Sequence, residues 1–113
     1  MLDDLPFEIT PRQVQELGRS GEPMHLVDVR QPDEWELTHI EGSELIPMDT
    51  VPSQFGNLEN MAESARLVVI CHHGIRSAKV VNWLRGHGVT ACQSLAGGIE
   101  RWSTDVDPSV PRY

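Results

Sequence analysis

The fold of this chain is decided by the stretch Leu67-Val-Val-Ile-Cys-His-His-Gly-Ile-Arg-Ser77. Its opening residues are apolar and mostly β-branched, which is typical of a strand buried on both faces. The polar and flexible residues that follow do not suit a core. A helical pattern comes next, because Val80, Val81 and Leu84 fall on one face of a helix. The stretch therefore predicts a strand, a loop and a helix in immediate succession.

The rest of the chain repeats this alternation. Thr10-Pro-Arg-Gln13 indicates the start of a helix, with Thr as N-cap, Pro in the first turn and Gln closing a capping box. Further strands are predicted at His25–Val29, Glu44–Ile46 and Thr90–Gln93, and further helices from Gln31, within residues 49–64 and from Ile99. Strands that alternate with helices indicate a parallel sheet covered on both faces, an α/β fold.

The length of 113 residues is that of one domain, residues 1–113. Its core is expected at about residues 9–103, and residues 104–113, which include Pro108 and Pro111, are expected to form a loose C-terminal tail. The net charge of -8 argues against nucleic acid and anionic membranes as partners, since both attract basic surfaces.

The sequence also predicts a cytoplasmic location. The N-terminal residues are acidic and lack the pattern of a signal peptide, and no apolar run has the length of a membrane span. In a reducing compartment the two cysteines, Cys71 and Cys92, are expected to be free thiols. Cys92 lies inside a predicted strand and is expected to be inert.

Cys71 occupies the place where parallel α/β proteins bind ligands, at the end of a strand and the beginning of a helix. Loop amides at such a place can turn towards an anion, and Gly74 permits the unusual backbone that this requires. Arg76 adds a cation, and His72 and His73 add further donors. Helix N-termini and nearby cations favour the ionised form of cysteine, so a reactive thiolate is predicted at position 71.

Two plainer interpretations compete with this one. Cysteine is often a small buried hydrophobe, but the polar loop after Cys71 does not fit a core. A metal site is not expected, because two adjacent histidines with one cysteine do not match zinc-ligand spacing. No cofactor is predicted.

Four motifs together resemble a single-domain rhodanese. They are Leu26-Val-Asp-Val-Arg30, His39-Ile-Glu-Gly-Ser43, Cys71-x-x-Gly74-x-Arg76-Ser77, and Leu95-Ala-Gly-Gly98 followed by Trp102. The resemblance extends from about Ile9 to Trp102. It implies a rhodanese-like three-layer sandwich, in which a five-stranded parallel sheet is flanked by helices.

The resemblance also implies a thiosulfate-type sulfurtransferase. Cys71 would take a sulfur atom from thiosulfate or a related donor, hold it as a persulfide, and pass it to cyanide or a thiol acceptor. The residues expected to bind substrate are His72, His73, Gly74, Ile75, Arg76, Ser77, Arg30 and Asp28. Arg76 and His73 are expected to meet the charge of the donor. Structural roles are equally open for Asp28, which could hold loop amides, and for Arg30, which could pair with Glu34 or Glu36.

Three other functions remain open. A persulfide carrier would hand its sulfur to a protein acceptor, and a regulatory module would only bind a partner. A phosphatase or arsenate reductase would use a longer loop than the four residues that separate Cys71 from Arg76. The chain is expected to be a monomer or a weak homodimer.

Overall fold

The computed structural model describes residues 5–113; residues 1–4, which belong to the predicted domain, lie outside the described part. The strands are β1 (Glu8–Ile9), β2 (Met24–Asp28), β3 (Ser43–Leu45), β4 (Arg66–Ile70) and β5 (Cys92–Leu95). The α-helices are α1 (Pro11–Arg19), α2 (Pro32–Leu37), α3 (Phe55–Ser64), α4 (Ile75–Gly86) and α5 (Gly98–Asp105). Within residues 5–113, no helix combines the length and apolar character needed to cross a membrane.

The strands form one parallel sheet in the order β1-β5-β4-β2-β3. This confirms the predicted five-stranded parallel sheet flanked by helices. The stretch that decides the fold supplies the central strand β4, which pairs with β2 and β5. The local sequence patterns did not predict strand β1, because its two residues, Glu8 and Ile9, are too few to show a pattern. It is held by pairing with β5.

The core has two halves, one on each face of the sheet. Alternate residues of β4 point to opposite faces, so Leu67 and Val69 pack with α3 and α4, whereas Val68 and Ile70 pack with α1 and α5. All four side chains are inaccessible to solvent. This explains the continuous apolar run, since a strand covered on both sides has no polar face.

The capping box at the start of α1 is present as predicted. The Thr10 hydroxyl accepts a hydrogen bond from the Gln13 amide, and the Gln13 side chain accepts one from the Thr10 amide. The last strand begins later than predicted, at Cys92, because its pairing with β4 starts opposite Leu67. Leu95, the first residue of the Leu95-Ala-Gly-Gly98 motif, closes that strand.

The expectation of a loose tail was wrong. Val110 is buried in the core between the sheet and α5, and its carbonyl accepts a hydrogen bond from the Ser103 hydroxyl at 2.6 Å. Arg112 forms an ion pair with Glu100. The prolines end regular secondary structure, but the apolar side chain between them still packs against the domain. The chain thereby returns to the carboxyl edge of the sheet, where Tyr113 reaches the candidate site.

Candidate functional site

Cys71 follows the last residue of β4, and α4 begins at Ile75. The residue is only 1% exposed, so its thiol lies beneath the loop surface. The loop backbone bends back at Gly74, which has a φ of 100° that other residues rarely adopt. The sequence therefore places the sulfur at the N-terminal end of a twelve-residue helix.

Two backbone amides point at the sulfur of Cys71. The Gly74 amide donates to Sγ at 3.0 Å, and the Ser77 amide donates at 3.3 Å. Gly74 belongs to the loop after the cysteine, and Ser77 lies in the first turn of α4. Amides at the first turn of a helix lack partners within the helix, so a negative sulfur would satisfy them and gain from the helix dipole. The arrangement suits a thiolate.

The loop is held from behind by the turn at Gly97 and Gly98. The amide of Ile99 donates to the Cys71 carbonyl at 2.9 Å, and the amide of Glu100 donates to the His72 carbonyl at 3.1 Å. A Cβ atom at Gly98 would collide with both carbonyl groups. The double glycine therefore lets α5 approach and fix the loop.

Two buried hydroxyl groups lie beside the sulfur. The Oγ atom of Ser77 lies 3.4 Å from Cys71 Sγ, and the Oγ atom of Ser94 on β5 lies 2.7 Å from Ser77 Oγ. Both serines are inaccessible to solvent. No motif indicated Ser94, since a serine inside a short strand carries no signal of its own. Only the packing of β5 against the first turn of α4 brings it here.

Arg76 is already engaged by a carboxylate. Its Nη1 atom lies 2.6 Å from Glu34 Oε1, and its Nη2 atom lies 2.9 Å from Glu34 Oε2. The hydrogen bonds from Arg76 hold the pKa of the Glu34 carboxyl well below its usual range, and the same bonds raise the pKa of Arg76. The sequence allows Glu34 or Glu36 as the partner of Arg30 and assigns Arg76 to the charge of the donor. In this structure the first assignment is wrong, and Arg76 is not free.

Arg30 pairs instead with Asp28. Both side chains are fully buried, and the Nη2 atom of Arg30 lies 2.8 Å from Asp28 Oδ2. Arg30 also donates to the Thr38 carbonyl at 2.7 Å and to the Tyr113 hydroxyl at 2.9 Å. Asp28 accepts from the Arg30 amide, so its expected hold on amides of the cysteine loop is not observed. The pair supports the wall of the site and does not contact the sulfur loop through these bonds.

A stack of aromatic rings covers one side of the loop. The ring of His72 lies 3.9 Å from the ring of His73 on one side and 3.9 Å from the ring of Tyr113 on the other. The Tyr113 hydroxyl donates to Glu34 at 2.6 Å. Burial lowers the pKa of His72, and the neighbouring His73 lowers it further. Sequence patterns could not indicate Tyr113, because a lone aromatic residue in a polar tail has no periodic context.

The remaining candidates occupy the rim or the core. Ile75 is 69% exposed and lies at the rim with the exposed His73. Cys92 is buried, its thiol donates to the Val89 carbonyl, and burial raises its pKa, as suits a thiol that stays protonated. Within residues 5–113, no group of three or more His, Cys, Asp or Glu side chains could hold a metal ion.

A parallel sheet that carries a cysteine loop at its carboxyl edge defines a recognisable class of protein. The family model for the rhodanese-like domain matches residues 10–105. The chain belongs to the rhodanese-like domain family, as the motifs predicted.

The relatives that it matches include proteins named as sulfurtransferases. It is 34% identical over 94 residues to the thiosulfate sulfurtransferase GlpE of Ectopseudomonas mendocina, covering 83% of this chain and 82% of that protein. It is 34% identical over 105 residues to the probable adenylyltransferase/sulfurtransferase MoeZ of Mycobacterium tuberculosis, covering 93% of this chain. The chain spans only 26% of the length of MoeZ.

Solved structures agree on the fold. A rhodanese-like domain protein from Staphylococcus aureus superposes with a TM-score of 0.78 at 28% identity, covering 96% of this chain and 99% of that one. The human single-domain sulfurtransferase TSTD1 gives a TM-score of 0.75, covering 89% of this chain and 98% of that one. Its identity of 24% supports the shared fold alone.

Proposed function

We propose that this domain transfers a sulfane sulfur through a persulfide on Cys71. The observation that carries the proposal is the set of donors around Sγ, with the amides of Gly74 and Ser77 at 3.0 and 3.3 Å. A core cysteine with a merely structural role would not need two helix-terminal amides directed at its sulfur. Amides that meet a negative sulfur lower the free energy of the form that reacts.

The first half of the cycle loads the protein. The thiolate of Cys71 attacks the outer sulfur of thiosulfate, a new S–S bond forms, and the bond to the departing sulfite breaks with its electron pair. The charge then resides on the terminal sulfur of the persulfide. The second half discharges it, because cyanide or a thiolate attacks that terminal sulfur and Cys71 leaves as a thiolate, so the two half-reactions give ping-pong kinetics.

The position of Arg76 bears on the choice of donor. A dianion such as thiosulfate binds best to a free cation, but both Nη atoms of this guanidinium donate hydrogen bonds to Glu34. The formal net charge of -8 adds a repulsive field for anions. We therefore propose that thiosulfate is a modest donor and that less charged persulfide donors load Cys71 more readily. The acceptor is cyanide, a small thiol or a thiol carried on a protein.

A phosphatase or arsenate reductase function is disfavoured by the same contacts. Those reactions need an arginine that binds a tetrahedral oxyanion, together with a ring of amides wide enough to surround that oxyanion. Here the two amides converge on a single sulfur atom, and Arg76 is paired with Glu34. The site supports sulfur transfer better than phosphoryl or arsenate chemistry.

Intact-mass spectrometry tests the proposal. The protein is incubated with thiosulfate, or with a low-molecular-weight persulfide, and then with cyanide. We expect a mass gain of one sulfur atom that cyanide removes, and no gain in Cys71→Ser. Cys92→Ser is the matched control and should load normally, because Cys92 is buried and bonded to the Val89 carbonyl.

Two outcomes would contradict the proposal. A mass gain that survives in Cys71→Ser would place the chemistry elsewhere. A folded protein that gains no sulfur from either donor would exclude the persulfide mechanism and favour a regulatory binding module.

A further inference from the structure

Three buried atoms form a chain that leads away from the reactive sulfur. Cys71 Sγ contacts Ser77 Oγ at 3.4 Å, and Ser77 Oγ contacts Ser94 Oγ at 2.7 Å. Ser94 makes no contact with the sulfur itself among the hydrogen bonds of residues 5–113. Its hydroxyl has no other hydrogen-bond partner in that described part of the chain. Since Ser77 Oγ is its partner in that part of the chain, the fully buried Ser94 hydroxyl can influence the site through the orientation of the Ser77 hydroxyl.

We propose that Ser94 is a positioning residue that favours the thiolate of Cys71 by turning the Ser77 hydroxyl towards the sulfur. The proposal rests on the function proposed above, since it assigns a means of preparing Cys71 for the attack. Ser94 acts through Ser77 and does not touch the reacting atoms.

The number of hydrogens shared by the three atoms depends on the ionisation state of Cys71. The chain of three heavy atoms has two links, and each link holds one hydrogen. With a thiol at Cys71 there are three hydrogens for these two links, so one hydrogen has no acceptor within the chain. With a thiolate there are two hydrogens for two links: Ser94 donates to Ser77, and Ser77 donates to Sγ. The ionised form alone satisfies every member.

Burial makes the surplus hydrogen of the thiol form unfavourable. Ser77 and Ser94 are both inaccessible to solvent, so the surplus hydrogen of the thiol form is not met by bulk water. A buried polar group without a partner is costly. The amides of Gly74 and Ser77 already approach Sγ from the helix side, which leaves Ser77 Oγ as the acceptor for a thiol hydrogen. Ionisation, with the proton passing to the buffer, removes this conflict.

The hydrogen-bond relay from Ser94 through Ser77 to Cys71 would act in the steps in which Sγ carries negative charge. Sγ is negative before it attacks the donor and again as it leaves during discharge, whereas in the persulfide the charge lies on the terminal sulfur. A thiol that ionises more readily is a better leaving group. Loss of the Ser94 hydroxyl should therefore slow the release of sulfur more than it alters the stability of the loaded state.

Titration of the Cys71 thiolate by ultraviolet absorbance tests the proposal. Each variant is compared with the same variant carrying Cys71→Ser, so that the difference reports Cys71 alone and needs no reagent to enter the site. We expect Ser94→Ala to move the midpoint upwards by about 0.5–1 pH unit, a three- to tenfold loss in ionisation constant. The charged groups around the loop, His72, His73, Arg76 and Glu34, are unchanged in this variant.

Two controls separate the relay from packing. Ser103→Ala removes another buried hydroxyl, whose partner is the Val110 carbonyl, and should leave the midpoint unchanged. Ser94→Thr keeps the hydroxyl and should keep the wild-type midpoint. Ser77→Ala should raise the midpoint, and adding Ser94→Ala to it should raise it no further, because Ser94 acts only through Ser77.

The outcomes are decisive in both directions. A midpoint unaffected by Ser94→Ala, or an additional rise in the Ser77→Ala background, would overturn the role of Ser94. Sulfur loading of Cys71 is measured separately by intact mass, so a normal mass gain with an unshifted midpoint rejects the relay alone. Absence of any mass gain in the wild type rejects the sulfur-transfer function instead.

Discussion

The guanidinium of Arg76 donates two hydrogen bonds to the carboxylate of Glu34, with N···O distances of 2.6 and 2.9 Å. This pair joins the first turn of α4 to α2 and places a negative partner on the arginine of the sulfur loop. Tyr113 strengthens the arrangement by donating its hydroxyl to the same carboxylate. We expect this relationship to affect both the choice of sulfur donor and the stability of the domain in acid.

Removal of the Glu34 charge should improve the use of anionic donors. In Glu34→Gln the guanidinium of Arg76 becomes available, so we expect KM for thiosulfate to fall about three- to tenfold. Steady-state kinetics with thiosulfate and cyanide measure the change. Glu36→Gln is the matched control, since it removes the same charge from an exposed position of the same helix. Equal KM values in the two variants would show that Arg76 does not meet the donor.

The same pair should make stability depend on pH. Because the pKa of Glu34 is lowered in the folded state, its contribution is complete above the ordinary glutamate range and is lost as the pH falls below about 4. We expect Glu34→Gln to cost roughly 1–2 kcal/mol of unfolding free energy at neutral pH. Urea unfolding should show this difference shrinking in acid. A difference that stays constant down to about pH 3 would contradict the assignment.

Gly98 should tolerate no side chain. Its φ is 63°, and a Cβ atom would strike the carbonyls of Cys71 and His72, so we expect Gly98→Ala to destabilise the domain by more than about 2 kcal/mol. Sulfur loading of the protein that remains folded should also slow, because the loop must move. Gly18→Ala is the control, since nothing lies within 4 Å of that helical position, and it should be neutral or slightly stabilising. Similar melting temperatures for the two variants would count against this account.

Tyr113 should control the charge of His72. The pKa of His72 is lowered chiefly by burial, and its Nε2 atom is buried without a partner among residues 5–113. Tyr113→Ala uncovers the imidazole, so the pKa of His72 should rise towards its ordinary value and the cation should form at higher pH. An NMR titration of the ring measures this. Tyr113→Phe keeps the stacked ring and should keep the low value; an unchanged pKa in Tyr113→Ala would show that other groups bury His72.

Most of the fold could be predicted from the sequence, because the local patterns agree with the packing of the core. The apolar run before Cys71 is a central strand, and the face made by Val80, Val81 and Leu84 is buried as predicted. Cys71, Gly74 and Ser77 could be found as a group, because they follow one another where a strand gives way to a helix. That local order also fixes which amides can reach the sulfur.

Contacts between distant segments could not be found in this way. Glu34, Ser94 and Tyr113 carry no motif, and each reaches the site from a different element. The charge pattern near Arg30 offered two acidic partners in the following helix, yet Arg30 is paired with Asp28 and Glu34 is paired with Arg76. Asp28, Asp33, Glu34 and Glu36 all lie within six residues of Arg30 in the sequence, and only the packed backbone selects among them.

The sequence by itself determined the parallel α/β architecture and the place of the cysteine loop, because periodicity, capping and glycine positions act over a few residues. Its four motifs, by their resemblance to rhodaneses, also indicated the family that the family model confirms. Only the tertiary structure decided that Arg76 is neutralised by Glu34, that the final residues return to cover His72, and that Ser94 lies behind Ser77. Those outcomes depend on which side chains the folded sheet brings within about 3 Å of each other, the range of a hydrogen bond, and local sequence does not encode such distances.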